Sequence, residues 1–279
     1  MFAGMTSCRK DSFTQSADAG IAFSADTLFF DTVFTTVGSV TQSFKIFNPN
    51  DQKLKITSIK LSGGNSSPFK INVNGTSATV VNDEVLNAND SMYVFVQVLI
   101  NPNDHSQPFV LSDSIEVQYN GNKRWIQLRA FGQNAIFLRN QKIKSDTTWN
   151  DSLPIVISGF LQVDTSVTLR VLEGTKIFIH ATAPFIVNGT LKAEGIPANP
   201  VIFSGDRTDA EYRDLPAAWP GIFFTSVSKD NLLKSVVIKN AYQGVVAEQM
   251  PDNNNPKVTI SQCVIQNVYD AGILALNSS

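Results

Sequence analysis

The sequence predicts an all-β protein in two parts, a β-sandwich followed by a solenoid of stacked strand coils. Three observations predict it. Apolar and polar side chains alternate with period two in the first half. The second half is built of short apolar strands that follow one another without hairpin turns, and it contains an internal repeat. Across 279 residues, 43% are apolar and 16% charged, a balance that excludes a disordered chain and suffices for two cores.

The alternation is clearest near the end of the first part. Ile115, Val117 and Tyr119 alternate with Ser114, Glu116 and Gln118, and Trp125, Gln127, Arg129 and Phe131 alternate with Ile126, Leu128 and Ala130. In a strand, successive side chains point to opposite faces, so each set belongs to one side of a half-buried sheet. Residues 91–100 (SMYVFVQVLI) are apolar on both faces, as a central strand would be. Asn48-Pro49-Asn50-Asp51, Ser62-Gly63-Gly64-Asn65 and Asn101-Pro102-Asn103-Asp104 punctuate these runs with turn formers. Several short strands in about a hundred residues suggest a sandwich.

The order of segments narrows this further. FNPN (47–50) precedes LKITSIKL (54–61) and PFKI (68–71), then VFVQVLINPND (94–104) and IQLRAFG (126–132). Over residues 26–133 this resembles Hydin-type Ig-like domains, relatives of the major sperm protein fold. The resemblance implies a spacer or interaction module with no catalytic residue.

In the second part, VTLRV, TKIFI, PFIVNGTLKAEG, PVIFSG and WPGIFF succeed one another between 167 and 224. The phrase VNGTLKAEG…PVIFSG followed by WPGIFF resembles the opening coils of bacterial right-handed parallel β-helix proteins of the pectate-lyase-like fold. The repeat supports this independently. SVVIKNAYQGVVA (235–247) aligns with QCVIQNVYDAGILA (262–275): Val236 with Cys263, Ile238 with Ile265, Asn240 with Asn267 and Tyr242 with Tyr269, each 27 apart. One inserted residue makes the Gly244–Gly272 offset 28. A unit this small must stack on its neighbours to bury its apolar face, and a recurrent Asn suits a coil turn.

The expected fold class is therefore all-β, an Ig-like β-sandwich over 21–134 followed by a right-handed parallel β-helix over 145–279. The chain stops inside a coil without a polar cap, so the β-helix is expected to be incomplete at the C-terminus. Residues 1–20 read as a signal-peptide remnant and tether. Within them, Thr6-Ser7-Cys8 resembles a bacterial lipobox, which implies acylation of Cys8 and a lipid-anchored place in the cell envelope, at the outer membrane or cell surface.

Chemistry is sparse. The net charge is −2, with Lys and Arg scattered singly, so no basic face for nucleic acid is expected. Two cysteines build no disulfide framework, and Cys263, aligned with Val236, reads as buried and inert. No spacing suits a metal, no cofactor is expected, and His105 and His180 are the only histidines. The outward positions of the coil strands read as Thr, Ser, Lys and Asn. Charge concentrates in Gly205–Asp214, where Asp206, Arg207, Asp209, Glu211, Tyr212, Arg213 and Asp214 lie close to Trp219. This loop reads either as a solvated link whose mixed charges satisfy one another or as a ligand-binding ledge beside Trp219. Trp149 reads as a cover for the first coil's open apolar end. Asp precedes Thr27, Thr32, Ser91, Ser114, Thr147 and Ser152 in a pattern that resembles the O-glycosylation acceptor of some Gram-negative bacteria. The same pair also opens strands and turns for ordinary reasons.

The function expected from these residues is a non-catalytic, surface-anchored binding or structural lipoprotein that presents its β-helix to polysaccharide or another surface protein. The alternative is a polysaccharide lyase or hydrolase with its site in later coils or near Asp206–Asp214.

Overall fold

The computed structural model describes residues 12–34, 39, 41–101, 109–209, 212–249 and 255–277. The chain divides into two units after Gln133. Among the described residues there is no α-helix, only a 3-10 turn at Gly64–Ser66.

Ten strands build the first unit: β1 (Ala22–Phe23), β2 (Thr27–Phe34), β3 (Gln42–Phe47), β4 (Leu54–Leu61), β5 (Phe69–Val73), β6 (Thr76–Ser77), β7 (Val80–Leu86), β8 (Ser91–Val98), β9 (Phe109–Tyr119) and β10 (Asn122–Gln133). They form an Ig-like sandwich of two five-stranded sheets, β1-β3-β8-β5-β6 and β2-β10-β9-β4-β7. The chain changes sheets between β1, antiparallel to β3, and β2, parallel to β10. Ile115, Val117, Ile126, Leu128 and Ala130 are fully buried, while Trp125 and Phe131 face out, as the alternation requires. Asn120 and Gly121, both with positive φ, make the two-residue β9–β10 turn whose twist matches the strands.

Strand β8 is the central strand of its sheet, with Met92, Val94, Val96 and Val98 buried. Its other face is only half covered. Tyr93 and Phe95 stack on each other with ring centroids 5.8 Å apart, and Lys45 lies over Tyr93. Residues 12–20 do not form a free tether. Phe13 bridges to Lys53, the Asn120 amide donates to the carbonyls of Thr14 and Ser16, and Asn122 donates to that of Ala17. The turn that closes β9–β10 thereby holds the N-terminal segment against the sandwich.

The second unit is a parallel β-helix. Its first strand, Ile136–Ile143, lies in the 135–144 segment between the two expected parts, so the helix starts earlier than residue 145. Every strand pairing in this unit is parallel, including the long strand Ile155–Val163, whose two halves pair with different strands of the next coil. Residues 155–157 pair with 177–179, and 161–163 pair with 185–187. The ten-stranded sheet is therefore two faces meeting at a corner, and a separate five-stranded sheet is the third. At that corner Asn140, Gly159, Asn240 and Asn267 all have positive φ, which Asn tolerates and Gly adopts freely. A Cβ on Gly159 would lie 2.0 Å from Asn140 Oδ1, so a larger residue would have to displace the Asn140 side chain as well as adopt a positive φ.

Three inward columns fill the coils. Ile155, Ile177, Phe203, Ile238 and Ile265 stack on the first face. Leu161, Phe185, Ile222, Val245 and Ile273 stack on the second, and Trp149, Val171, Ala193, Leu233 and Ile260 on the third. The repeat read from sequence is structural. Ile238 is in register with Ile265, the Asn267 amide donates to Asn240 Oδ1 at 3.5 Å, and Tyr242 stacks on Tyr269. After the inserted residue Val245 pairs with Ile273, the 28-residue offset.

Trp149 lies in the first coil, largely buried, edge-on to Phe185. Cys263 is half-buried rather than buried, with its Sγ 3.3 Å from the Leu233 carbonyl. The coil that contains it covers Val236, whereas no described coil follows to cover Cys263 in turn.

Candidate binding site

The charged loop leaves the first face after Gly205 and rejoins the second at Ile222. Its groups satisfy one another. His180 Nδ1 lies 2.8 Å from Asp206 Oδ2, tying the loop to the preceding coil. Arg207 donates to both Asp209 oxygens, at 2.8 and 3.0 Å, and its guanidinium lies 3.8 Å from the Tyr212 ring centroid. Hydrogen bonding to Asp209 holds Arg207 above its ordinary pKa against partial burial. Arg213 and Asp214 are exposed and 3.5 Å apart, while the Arg213 carbonyl accepts a bond from the Asn240 amide. Glu211 lies outside the described residues, as do Cys8 and His105.

Trp219 does not stand beside this loop as a ledge. It is fully buried, bridged to Ala241, and its indole N–H donates to the Lys239 carbonyl at 2.9 Å. The chain is already back in coil register at Trp219, and that register turns the ring inward. The described charged groups of the loop thus pair with one another or with His180, and Trp219 belongs to the core.

The outer faces differ from expectation and from one another. On the first face, Phe137, Val156 and Phe178 form one outward column and Ile202, Val237 and Val264 another. On the second, Ile186, Phe223, Val246 and Leu274 line up. Thr, Ser and Lys dominate the outside only on the third face, where the expected Asn is absent and Asn231 is buried. Lys176 and Gln162 begin the columns of Ile202 and Ile186, but strands such as Phe185–Val187 and Ile222–Phe224 are short and apolar at every position, so alternation could not say which side was out.

The third face is flat and polar. Its middle outward column runs Thr148, Arg170, Lys192, Leu232, Thr259. Thr168 and Thr190 stand in register on one side, and Leu172, Glu194, Lys234 and Ser261 on the other. Open grooves run along both borders. One is lined by Asn150, Asp151, Glu173, Glu194 and Lys234, the other by Thr165, Ser166, Asn188, Thr190 and Lys229.

The corner under the second groove is fixed from inside. The Lys257 ammonium, almost wholly buried, donates to the carbonyls of Thr225, Ser226 and Ser228 at 2.7, 3.0 and 2.9 Å. Burial pushes this lysine below its ordinary pKa, and the Glu248 charge draws it partly back. In the sandwich, hydrogen bonding to Lys60 pulls the Glu116 carboxyl below its ordinary value against desolvation, with Lys123 adding to the effect. Among the described residues no three His, Cys, Asp or Glu side chains converge as metal ligands would.

The six Asp-Ser/Thr positions have local structural roles. The Asp carboxylate accepts the backbone N–H of the next residue at Thr32, Ser91 and Ser114, and Ser114 Oγ pairs with Ser62 Oγ at 2.8 Å. Thr27 is half-buried in β2, and Thr147 donates its hydroxyl to the Ser145 carbonyl. Ser152 lies in a turn closed by Asn150, whose side-chain oxygen accepts its backbone N–H.

No family model matches the chain, and no curated protein matches it in sequence. Solved structures are similar over part of it. The family 123 glycoside hydrolase of Clostridium perfringens is 10% identical at a TM-score of 0.31, over 44% of this chain and 30% of that one. The chain thus spans under a third of that enzyme. The PapD-like domain 7 of human CEP192 is 12% identical at a TM-score of 0.28, over 48% of this chain and 97% of that one. WR4, a C. elegans MSP family member, is 13% identical at a TM-score of 0.26, over 41% and 98%. Likeness this slight carries nothing about function, and the fold stands on the strand order and register above.

Proposed function

We propose that this chain is a non-catalytic, surface-anchored binding or structural lipoprotein of the bacterial envelope. In this reading the sandwich is a spacer, and the β-helix presents a flat face to glycans or protein partners. The observation that carries it is the third face, where hydroxyl and long polar side chains stand in straight columns with Glu194 the only carboxylate among them. Hydrolysis of a glycosidic bond generally takes a pair of carboxyl groups facing each other across the sugar. The described loop carboxylates Asp206, Asp209 and Asp214 instead lie against His180, Arg207 and Arg213 respectively. The full chain passed over immobilised polysaccharides is expected to be retained without releasing reducing ends. New reducing ends or unsaturated products would replace this reading with a lyase or hydrolase.

The lipid anchor rests on the lipobox-like Thr6-Ser7-Cys8. Several acyl chains on one residue hold a protein firmly where a single chain binds only marginally. In cells expressing the protein with its signal sequence, Cys8→Ala is expected to move it from the membrane to the soluble fraction. Unchanged fractionation would exclude acylation at Cys8.

A further inference from the structure

Tyr242 and Tyr269 occupy the same turn in successive coils, 27 residues apart. Their rings stack with centroids 5.3 Å apart and planes 23° from parallel. Both are open to solvent, at 45% and 66% exposure. The backbone beneath them is fixed. The Tyr269 N–H donates to the Ala241 carbonyl at 3.0 Å, and the Asp270 N–H to that of Tyr242 at 2.9 Å. Side-chain bonds lock the register on either side, from Asn267 to Asn240 before the pair and from Gln243 to Asp270 after it. The other tyrosines are placed differently. Tyr119 is buried, Tyr93 lies against Phe95 and Lys45, and Arg207 lies over Tyr212. Among the described residues, only Tyr242 and Tyr269 form a tyrosine–tyrosine ring contact.

We propose that this pair is an oxidative cross-linking site, at which a peroxidase and hydrogen peroxide join the two rings as dityrosine. Each phenol gives one hydrogen atom to the oxidant and becomes a phenoxyl radical, with part of its unpaired spin on the ring carbons ortho to oxygen. A carbon–carbon bond forms between one ortho carbon of each ring. The hydrogen on each of those carbons then moves to its own phenol oxygen, which restores both aromatic rings. Two hydrogen atoms leave the protein in all, and one hydrogen peroxide becomes two waters. Exposure lets the oxidant reach both phenols, and geometry selects the partner. A ring held in contact presents an effective concentration that no second molecule in dilute solution matches. Side-chain rotation closes the remaining gap, because neighbouring strands already stand about 4.8 Å apart. The product is a covalent staple across the 27 residues between the two rings, and it restricts the unfolded chain as a disulfide does. It fastens the last described coil, which has a neighbour on one side alone, to the coil before it.

The test is brief treatment of the dilute full chain with peroxidase and hydrogen peroxide, followed by proteolysis and mass spectrometry. The expected product is a linked peptide pair containing Tyr242 and Tyr269, lighter by two hydrogens than its separate parts. Dityrosine fluorescence should come from a chain that stays monomeric on a denaturing gel. The stapled chain is expected to melt at least ~5 °C higher than the untreated one. Tyr242→Phe and Tyr269→Phe keep the ring stack but lack the hydroxyl that yields the radical, so each should abolish the linked pair. Both are expected to melt with the parent before oxidation, which separates loss of the link from loss of the fold. Tyr93→Phe and Tyr212→Phe, exposed tyrosines without a tyrosine neighbour, should leave the yield unchanged. Dityrosine formed equally by Tyr242→Phe would overturn the inference, as would links found only between chains. A linked chain whose melting does not rise would show that the rings meet without fastening the coil, and would overturn the staple.

Discussion

Replacing Ile238 with Asp is expected to unfold the β-helix, whereas the same change at Lys239 leaves it folded. Ile238 is fully buried, between Phe203 and Ile265 in the inward column of the first face. A carboxylate there loses its hydration and meets only hydrocarbon, at a cost of several kcal/mol beyond the lost packing. Set against the ~5–15 kcal/mol that holds an ordinary domain together, that is decisive. Lys239 is the outward neighbour, in register with Gln266; its carbonyl accepts the Trp219 indole, and its side chain has no ion pair or hydrogen bond among the described residues. Lys239→Asp is therefore expected within ~1 kcal/mol of the parent. Ile238→Val removes one methylene and should cost about 1 kcal/mol, which separates buried charge from imperfect packing. Urea unfolding followed by tryptophan fluorescence reports this unit through Trp149 and Trp219, both in its core, once Trp125 of the sandwich is replaced by Phe in every variant. A cooperative transition of unchanged midpoint in Ile238→Asp would show that the column does not face inward.

This register was legible because the repeat aligns whole coils. Ile238, Asn240 and Tyr242 recur together, and parallel stacking must place like over like, since a one-residue slip turns an inward isoleucine to water. The corner asparagines follow from the same alignment, and the structure adds the positive φ that explains them. Legibility failed where a strand is apolar at consecutive positions. In Phe185–Val187 or Ile222–Phe224, composition does not distinguish the inward Phe185 and Phe224 from the outward Ile186 and Phe223. Trp219 escapes a local reading for a related reason. Its neighbours in sequence are loop residues, but its neighbours in space are set by the return to coil register at Ala241. Arg170 and Lys192, register partners on the third face, are 22 residues apart in sequence. Only strand pairing brings the two together, and no local pattern announces it.

In the sandwich, the FNPN segment marks a turn in the sequence, and the structure shows what its first asparagine does. Asn48 is 1% exposed. Its amide nitrogen donates to the carbonyls of Gln52, Leu86 and Asn87 at 2.9, 3.1 and 2.8 Å, and its Oδ1 accepts from the backbone and side-chain nitrogens of Asn50. One side chain thus ties the turn after β3 to the end of β7, through one buried bond to Leu86 and two part-buried ones. Asn48→Ala removes all these bonds, at about 1–3 kcal/mol for a partner that stays buried and less for those that water can reach. A total near ~3 kcal/mol should lower the sandwich transition in calorimetry of the full chain by at least ~10 °C. Asn48→Asp keeps the shape but turns a charged oxygen toward three carbonyls, so at neutral pH it is expected to destabilise more than alanine. The sign of its pH dependence follows from the same contact. Burial against carbonyls raises the new carboxyl's pKa in the folded state, because the protonated acid can donate where the carboxylate cannot. The folded state then binds more protons than the unfolded one between the ordinary and raised values, so stability returns as pH falls through that window. If the two variants melt together at neutral pH, or if Asn48→Asp weakens the protein steadily on acidification, the Asn48 amide is not the clamp its geometry describes.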